Sequence, residues 1–199
     1  MIQDRNINYK FQSMYFPATS FDWKPGSADN QDAGDGSDDL VEVGTTGFVG
    51  WKFDGGDDQL HISLPTPTVV DWDNDVFYRV IWVAATSNNA NETFVLKADE
   101  VAFGTAPKVA SGDVDGLTAF ATLTDNPDNA ANVPLATPWG QANSSTSGGI
   151  TGTTEVLRIF VDCTTDSAND PRLVGLELKY IPKLTDGAQS AFATEPVDA

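Results

Sequence analysis

The sequence predicts an all-β fold: an antiparallel, jelly-roll-like β-sandwich of about eight to ten strands with extended terminal arms. Three observations support this prediction. The 199 residues include 23 Asp but only 6 Glu, beside 17 Gly and 11 Pro, and Asp favours turns where Glu favours helices. Short runs of β-branched and aromatic residues recur along the chain, which is typical of strands. No stretch shows the sustained apolar period of an amphipathic helix.

The candidate strands follow one another in chain order and are separated by turn clusters rich in Gly, Asp and Asn. They are residues 10–16, 40–43, 48–53, 60–64, 76–83, 93–97, 117–123, 155–162 and 173–181. The alternation of apolar and polar residues is clearest in the last of these strands. One predicted face of it carries Val174, Leu176, Leu178 and Tyr180. The opposite face carries Gly175, Glu177 and Lys179.

Three other segments lack this alternation. Residues 99–109 are predicted as a short helix, and residues 26–39 and 124–149 as long loops of the kind that is usually functional or flexible. The predicted domain organisation is an N-terminal arm (1–13), a β-sandwich domain (14–182) and a C-terminal tail (183–199).

The charge balance limits the classes of partner. The 11 basic and 29 acidic residues give a net charge of −18, which repels the phosphates of nucleic acids and the headgroups of anionic lipids. We therefore expect neither nucleic-acid nor membrane binding. The first residues lack a basic region followed by an apolar stretch, so no signal peptide is expected. The single cysteine, Cys163, excludes an intrachain disulfide.

An Asp-rich stretch raises the question of calcium. Asp71, Asp73 and Asp75 alternate as in the first half of a calcium loop, but Val76 and Trp82 occupy the positions where an EF-hand needs Gly and Glu. Two alternatives stay open: a Ca²⁺ ion shared with a distant loop, or a turn whose Asp side chains bond to the backbone. No other cofactor is expected.

The sequence offers little for catalysis. His61 is the only histidine and lies on the polar side of an alternating strand, while Cys163 ends another strand. There is no Gly-x-Ser-x-Gly elbow and no phosphate-binding glycine loop. Two carboxylates suffice for glycoside hydrolysis, but 29 acidic residues make such a pair unspecific. The sequence therefore predicts a protein that is not an enzyme.

The five tryptophans fall into two groups. Trp51 and Trp82 lie in predicted strands and are expected in the core. Trp23, Trp72 and Trp139 lie in loop-like surroundings. A tryptophan in such a place can stack on a sugar, anchor an interface or close the open end of the sandwich.

Three segments carry a family resemblance. The run Met14-Tyr-Phe-Pro-Ala-Thr-Ser-Phe-Asp-Trp23, the segment Asp162-Cys-Thr-Thr-Asp166 and the closing strand Leu173-Val-Gly-Leu-Glu-Leu-Lys-Tyr180 together resemble virion jelly-roll proteins of tailed bacteriophages. The resemblance covers residues 14–181, and its motifs are structural. It implies a shell or fibre subunit without an active site, synthesised in the host cytoplasm and located in the virion.

The first functional hypothesis is a non-enzymatic virion structural protein that decorates or cements a phage capsid. It would form a homotrimer or another cyclic oligomer, and its arms would contact the major capsid protein or other virion proteins. The alternative is a tail-fibre or adsorption module, or a β-sandwich that binds a glycan; a polysaccharide hydrolase ranks last. The candidate interface residues are Ile2, Phe11, Tyr15, Phe16, Trp23 and Trp139.

Overall fold

Two antiparallel β-sheets pack face to face in a jelly-roll-like sandwich, as the sequence predicts. The computed structural model describes residues 11–23, 40–43, 47–53, 59–74, 76–87, 89–107, 116–128, 130–164 and 171–183. The strands in these ranges are β1 (Gln12–Pro17), β2 (Asp22–Trp23), β3 (Leu40–Glu42), β4 (Val49–Lys52), β5 (Gln59–Pro65), β6 (Val76–Ala84), β7 (Glu92–Val101), β8 (Ala119–Asp125), β9 (Pro134–Ala136), β10 (Gly140–Gln141), β11 (Val156–Cys163) and β12 (Pro171–Tyr180). A short 3-10 turn, Ala18–Ser20, joins β1 to β2. None of the described residues forms a helix with the length and apolar character needed to cross a bilayer.

Sheet A is built around β6 and β12, which pair along almost their whole lengths. On the other side of β12, strands β1 and β4 lie end to end, and β3 extends the sheet beyond β4. On the other side of β6, the short strands β9 and β10 also lie end to end. Sheet B has the order β2-β5-β11-β7-β8. Every pair is antiparallel, so each long strand can present one face to the core and one to solvent.

The core lies between the two sheets and is filled by alternate residues of the long strands. Strand β6 contributes Val76, Tyr78, Val80, Trp82 and Ala84, and β11 contributes Leu157, Ile159 and Val161. Trp82 is fully buried, and its ring centroid lies 5.5 Å from that of Phe94 on β7. Truncating an aromatic residue packed in this way costs about 3–5 kcal/mol of stability.

Strand β12 departs from its predicted alternation at one point. A bulge lies between Leu173 and Gly175 in the pairing with β6, and a bulge shifts the alternation by one residue. Leu173 therefore takes the inward position. Val174, predicted on the core face, packs instead with Val43 and Val83 on the opposite side of sheet A. The other three apolar residues of the predicted face do point into the core.

The helix predicted at residues 99–109 is wrong. Residues 99–101 continue β7 and pair with Arg158, Leu157 and Val156 of β11, and residues 102–105 form a turn closed by the Thr105 N–H and the Ala102 carbonyl. Residues 108 and 109 lie outside the described part of the chain. Pairing with a central strand thus overrides the local preference of this segment for helix.

The long loop predicted at residues 124–149 is also partly wrong. It begins within β8 and contains β9 and β10. These two strands are only three and two residues long, so they show no alternating pattern in the sequence. They are extended because they pair with the edge of β6. The other predicted loop, 26–39, lies outside the described residues. So do most of the two terminal arms, although sheet A already begins at Gln12.

Candidate functional site

The neighbouring strands β10, β6, β12 and β1 of sheet A, together with the residue that precedes β10, carry two rows of side chains on the face turned away from the core. The first row is Gln141, Phe77, Lys179 and Ser13, and the second is Trp139, Arg79, Glu177 and Tyr15. Strands lie about 4.8 Å apart, so each row is about 14 Å long. We call the aromatic and charged residues here the outer-face site: Phe11, Tyr15, Phe77, Arg79, Trp139, Glu177 and Lys179.

Tyr15 lies across β12 because Gly175 leaves room for its ring. A Cβ atom at Gly175 would come within 2.5 Å of the phenolic oxygen. The Tyr15 hydroxyl donates to the carbonyl of Val174 at 3.1 Å, while the residue remains 50% exposed. Partial burial and then the negative charge of Glu177 raise the pKa of this hydroxyl. The ring is therefore held in place with much of its surface open to solvent.

Trp139 is positioned by the segment that joins β9 to β10. The N–H of Thr137 donates to the carbonyl of Val80, and the N–H of Val80 donates back to the Thr137 hydroxyl oxygen, both at 3.0 Å. Gly140 faces the core, where a Cβ atom would come within 2.7 Å of Ala121 and Leu123. Since side chains alternate along an extended chain, the preceding Trp139 points outward, over β6.

Two cations lie among the aromatic rings of the site. The Arg79 guanidinium stacks 4.4 Å from the Trp139 ring centroid and donates from Nε and Nη2 to one carboxylate oxygen of Glu177, at 2.8 and 2.6 Å. The Lys179 ammonium lies 4.7 Å from the Phe11 ring centroid and 5.6 Å from that of Trp139. The Phe11 ring meets Phe77 edge to face at 6.1 Å. These contacts order long side chains that would otherwise move freely in solvent.

This arrangement combines apolar surface with polar groups of both kinds. Phe11 and Tyr15 are 41% and 50% exposed, Lys179 and Arg79 are donors, and Glu177 is an acceptor. A ligand with an apolar face and several hydroxyl groups would match such a surface, because it can stack on the rings and bond to the groups between them.

The outer face of sheet B contains similar residue types without the exposed rings. Phe160 is fully buried, stacks with His61 at 5.9 Å and lies 5.0 Å from the Arg158 guanidinium. Arg158 also pairs with the buried carboxylate of Asp99 at 3.4 Å. These contacts cover the aromatic surface, so this cluster supports the fold and offers little to a ligand.

The structure brings together some of the predicted interface residues and separates others. Phe11, Tyr15 and Trp139 all belong to the outer-face site. Phe16 points the other way and packs against the core, because it follows Tyr15 on an alternating strand. Ile2 and the side chain of Trp23 lie outside the described part of the structure. Their role at an interface stays a prediction.

Four residues of the site were not predicted as site residues: Phe77, Arg79, Glu177 and Lys179. A signal was present, because the predicted strands 76–83 and 173–181 each carry these residues at alternate positions. What the sequence could not supply was the pairing of β6 with β12, which places Phe77 beside Lys179 and Arg79 beside Glu177.

Three other tryptophans have structural roles. Trp82 is buried in the core as predicted, and Trp51 packs against the core and donates from Nε1 to the carbonyl of Ala18 at 2.9 Å. Trp72 belongs to the core cluster and is 5% exposed. Gly152 covers it so closely that a Cβ atom there would fall within 1.8 Å of the indole ring.

The predicted calcium stretch forms a turn in its described part. The Asp71 carboxylate accepts from the N–H of Asp73 at 3.3 Å and from the Asn74 amide at 2.6 Å. Asp73 accepts from the Ser144 hydroxyl at 2.9 Å, and Asp75 lies outside the described residues. Within the described ranges no three His, Cys, Asp or Glu side chains come together as metal ligands would. The backbone-bonded turn is therefore the alternative that matches the observed contacts.

A small cleft lies at the edge of sheet B. Its volume is about 190 Å³, and its lining includes Glu100, Leu117, Thr118 and Gly149. The Glu100 carboxylate is already engaged, because it accepts from the N–H groups of Thr151 and Gly152 and from the Thr151 hydroxyl. Ligand pockets usually exceed about 300 Å³, so the outer-face site is the stronger candidate.

Neither comparison by sequence finds a match: no protein-family model matches the chain, and no curated protein matches it. Comparison of structures does find similar folds. A xylan-binding module, CBM15, is 9% identical with a TM-score of 0.52, covering 88% of this chain and all of that one. The CBM36-1 domain of a multidomain xylanase from the hindgut metagenome of Trinervitermes trinervoides is 10% identical with a TM-score of 0.46, covering 84% and 96%. A CBM36 module in complex with calcium and xylotriose is 10% identical with a TM-score of 0.41, covering 83% and 97%. At 9% identity, the similarity to the xylan-binding module shows a shared β-sandwich fold.

Proposed function

We propose that this protein is a non-catalytic, carbohydrate-binding β-sandwich and that its outer-face site binds the glycan. The observation that carries the proposal is the placement of Phe11, Tyr15 and Trp139 on one open sheet face, with Arg79, Glu177 and Lys179 among them. A sugar has an apolar ring face and a rim of hydroxyl groups, and this surface offers a partner to each.

The β-sandwich fold is compatible with a binding site on one sheet face. The sandwich that this chain shares with the xylan-binding module is a scaffold on which one sheet face can present a row of side chains. The residues of the outer-face site carry the proposal of sugar binding, since fold alone does not determine function. The capsid-decorating role has no such geometric support, because most of the two predicted arms lies outside the described residues.

A virion location stays a prediction from the phage resemblance. A virion location is compatible with glycan binding if the protein is a tail-fibre or adsorption module. A glycan-binding sandwich of this kind would attach the virion to a host surface. The predicted homotrimer is compatible with such a module and would supply several glycan sites at once, which strengthens attachment.

A glycan array followed by calorimetry tests the proposal. We expect the wild-type chain to bind at least one neutral or acidic oligosaccharide, and the Tyr15→Ala and Trp139→Ala variants to bind it about tenfold more weakly because they lose stacking surface. Phe48→Ala is the matched control, since Phe48 is 41% exposed and lies outside the site; its affinity should equal that of the wild type.

Two results would contradict the proposal. The first is the absence of binding to every oligosaccharide on the array. The second is an oligomeric wild type that Tyr15→Ala converts to a monomer in analytical ultracentrifugation, because the face would then be an interface between copies.

A further inference from the structure

We infer that the glycan bound at the outer-face site carries a monoanionic group, a uronate carboxylate or a sulfate half-ester, and that Lys179 binds this group. The inference rests on the proposed function, since it specifies the ligand of the same site.

Lys179 has no anionic partner in the described part of the chain. Its contacts there are with the rings of Phe11 and Trp139, whereas Arg79 already donates twice to Glu177. An ammonium group has three donors and no acceptor. Lys179 can therefore give its hydrogen bonds to a ligand without breaking a bond within the protein.

The rings also hold the ammonium group where a ligand would reach it. Phe11 and Trp139 lie within 6 Å of it, which restricts a side chain that is otherwise highly flexible. A sugar that stacks on Phe11 or Tyr15 would pass close to Lys179, since Lys179 pairs with Ser13 and lies beside the Glu177–Tyr15 pair in the two rows.

The charges of the site favour one negative group over many. Its two cations and one carboxylate sum to +1, while the whole chain carries −18. At physiological salt the rest of the chain acts over only about 8 Å, so a single anionic substituent can be attracted locally. A densely charged polyanion would extend beyond the site and meet the acidic surface.

Calorimetry with three oligosaccharides tests this inference: a xylotriose that carries one glucuronate, the neutral methyl ester of that sugar, and a κ-carrageenan disaccharide that carries one sulfate. We expect at least one of the two acidic sugars to bind the wild type about tenfold more tightly than the ester, as one charge-assisted hydrogen bond would give. Lys179→Met should remove this difference, and Lys179→Arg should retain it. Lys97→Met is the control, because it makes the same change in net charge on sheet B, where Lys97 pairs with Phe160.

The outcomes separate the inference from the function on which it rests. Preference for the glucuronate-bearing sugar identifies a uronate, and preference for the carrageenan disaccharide identifies a sulfate; either supports the inference. Equal binding of acid and ester, with Lys179→Met equal to wild type, overturns the inference and leaves glycan binding intact. Equal loss of both sugars in Lys179→Met also overturns it, because Lys179 would then bind a neutral part. Failure of all three sugars and of the array overturns the proposed function itself.

Discussion

Individual residues of the outer-face site owe their properties to their neighbours. The Tyr15 ring lies across β12 because Gly175, two residues from its pairing partner Glu177, has no side chain there. Arg79 is held by Glu177 and Trp139 together, whereas Lys179 meets only rings among the described residues. Arg79 and Lys179 lie on adjacent strands and are both cations, but they differ in the hydrogen bonds that they can give to a ligand.

The buried hydroxyl of Tyr78 gives a prediction at this scale. Tyr78 is fully buried, and its oxygen has no hydrogen-bond partner among the described residues. Replacing it with Phe removes an unsatisfied polar atom, so we expect the free energy of unfolding at pH 7 to stay equal or rise by about 1 kcal/mol. Urea denaturation followed by tryptophan fluorescence measures this change. Tyr180→Phe is the control, because it removes a hydroxyl that bonds to Gln12 at 3.3 Å.

The pH dependence of the same variant follows from the pKa. Burial raises the pKa of Tyr78 far above its usual value of 10.0, so the folded state retains a proton that the unfolded state releases. Stability from this group is fully present below pH 10 and falls as the pH rises further. Tyr78→Phe should therefore lose less stability than the wild type between pH 9 and pH 10.5. A steeper loss in the variant would contradict this account.

At the scale of elements, the edge of β6 forms hydrogen bonds with a side chain as well as with the backbone of β9 and β10. Thr137 supplies its hydroxyl where β9 has ended and β10 has not begun, and it is 3% exposed. This arrangement keeps the N–H of Val80 bonded and sets the direction of Trp139. It also explains why β9 and β10 form without any strand pattern of their own.

Substitution at Thr137 tests this role. Thr137→Val keeps the shape of the side chain but removes the acceptor of the Val80 N–H, so we expect a loss of about 1–3 kcal/mol in the free energy of unfolding and weaker glycan binding through a displaced Trp139. Thr137→Ser retains the hydroxyl and should show a much smaller change. Equal losses in the two variants would mean that packing of the methyl group, rather than the hydrogen bond, decides the effect.

Elements with strict alternation were predictable from the sequence, and elements without it were not. The nine predicted strands all have counterparts in the structure, and the long strands among them bury one row of apolar side chains in the core. The bulge at Val174 was not predictable, since it depends on the register with β6. The same holds for the site: its exposed aromatic residues stood out in the sequence, while Arg79 and Lys179 became recognisable only through strand pairing.

At the scale of the whole molecule, the chain carries a net charge of −18, but the outer-face site differs from it in sign. The acidic residues repel polyanions over most of the surface, whereas the outer-face site carries a net positive charge. We therefore expect general repulsion to exclude densely charged partners, while the outer-face site attracts a ligand with a single anionic group.

The most direct test of the account is an NMR titration of the indole N–H signals with the oligosaccharide that binds best on the array. The chain has five tryptophans, and the Trp139→Phe variant identifies the Trp139 signal by its disappearance. Binding at the outer-face site predicts that the Trp139 signal shifts as the ligand saturates the protein, while the signals of the buried Trp72 and Trp82 stay in place. Saturable binding that leaves the Trp139 signal unchanged, or that shifts the Trp72 signal instead, would contradict it.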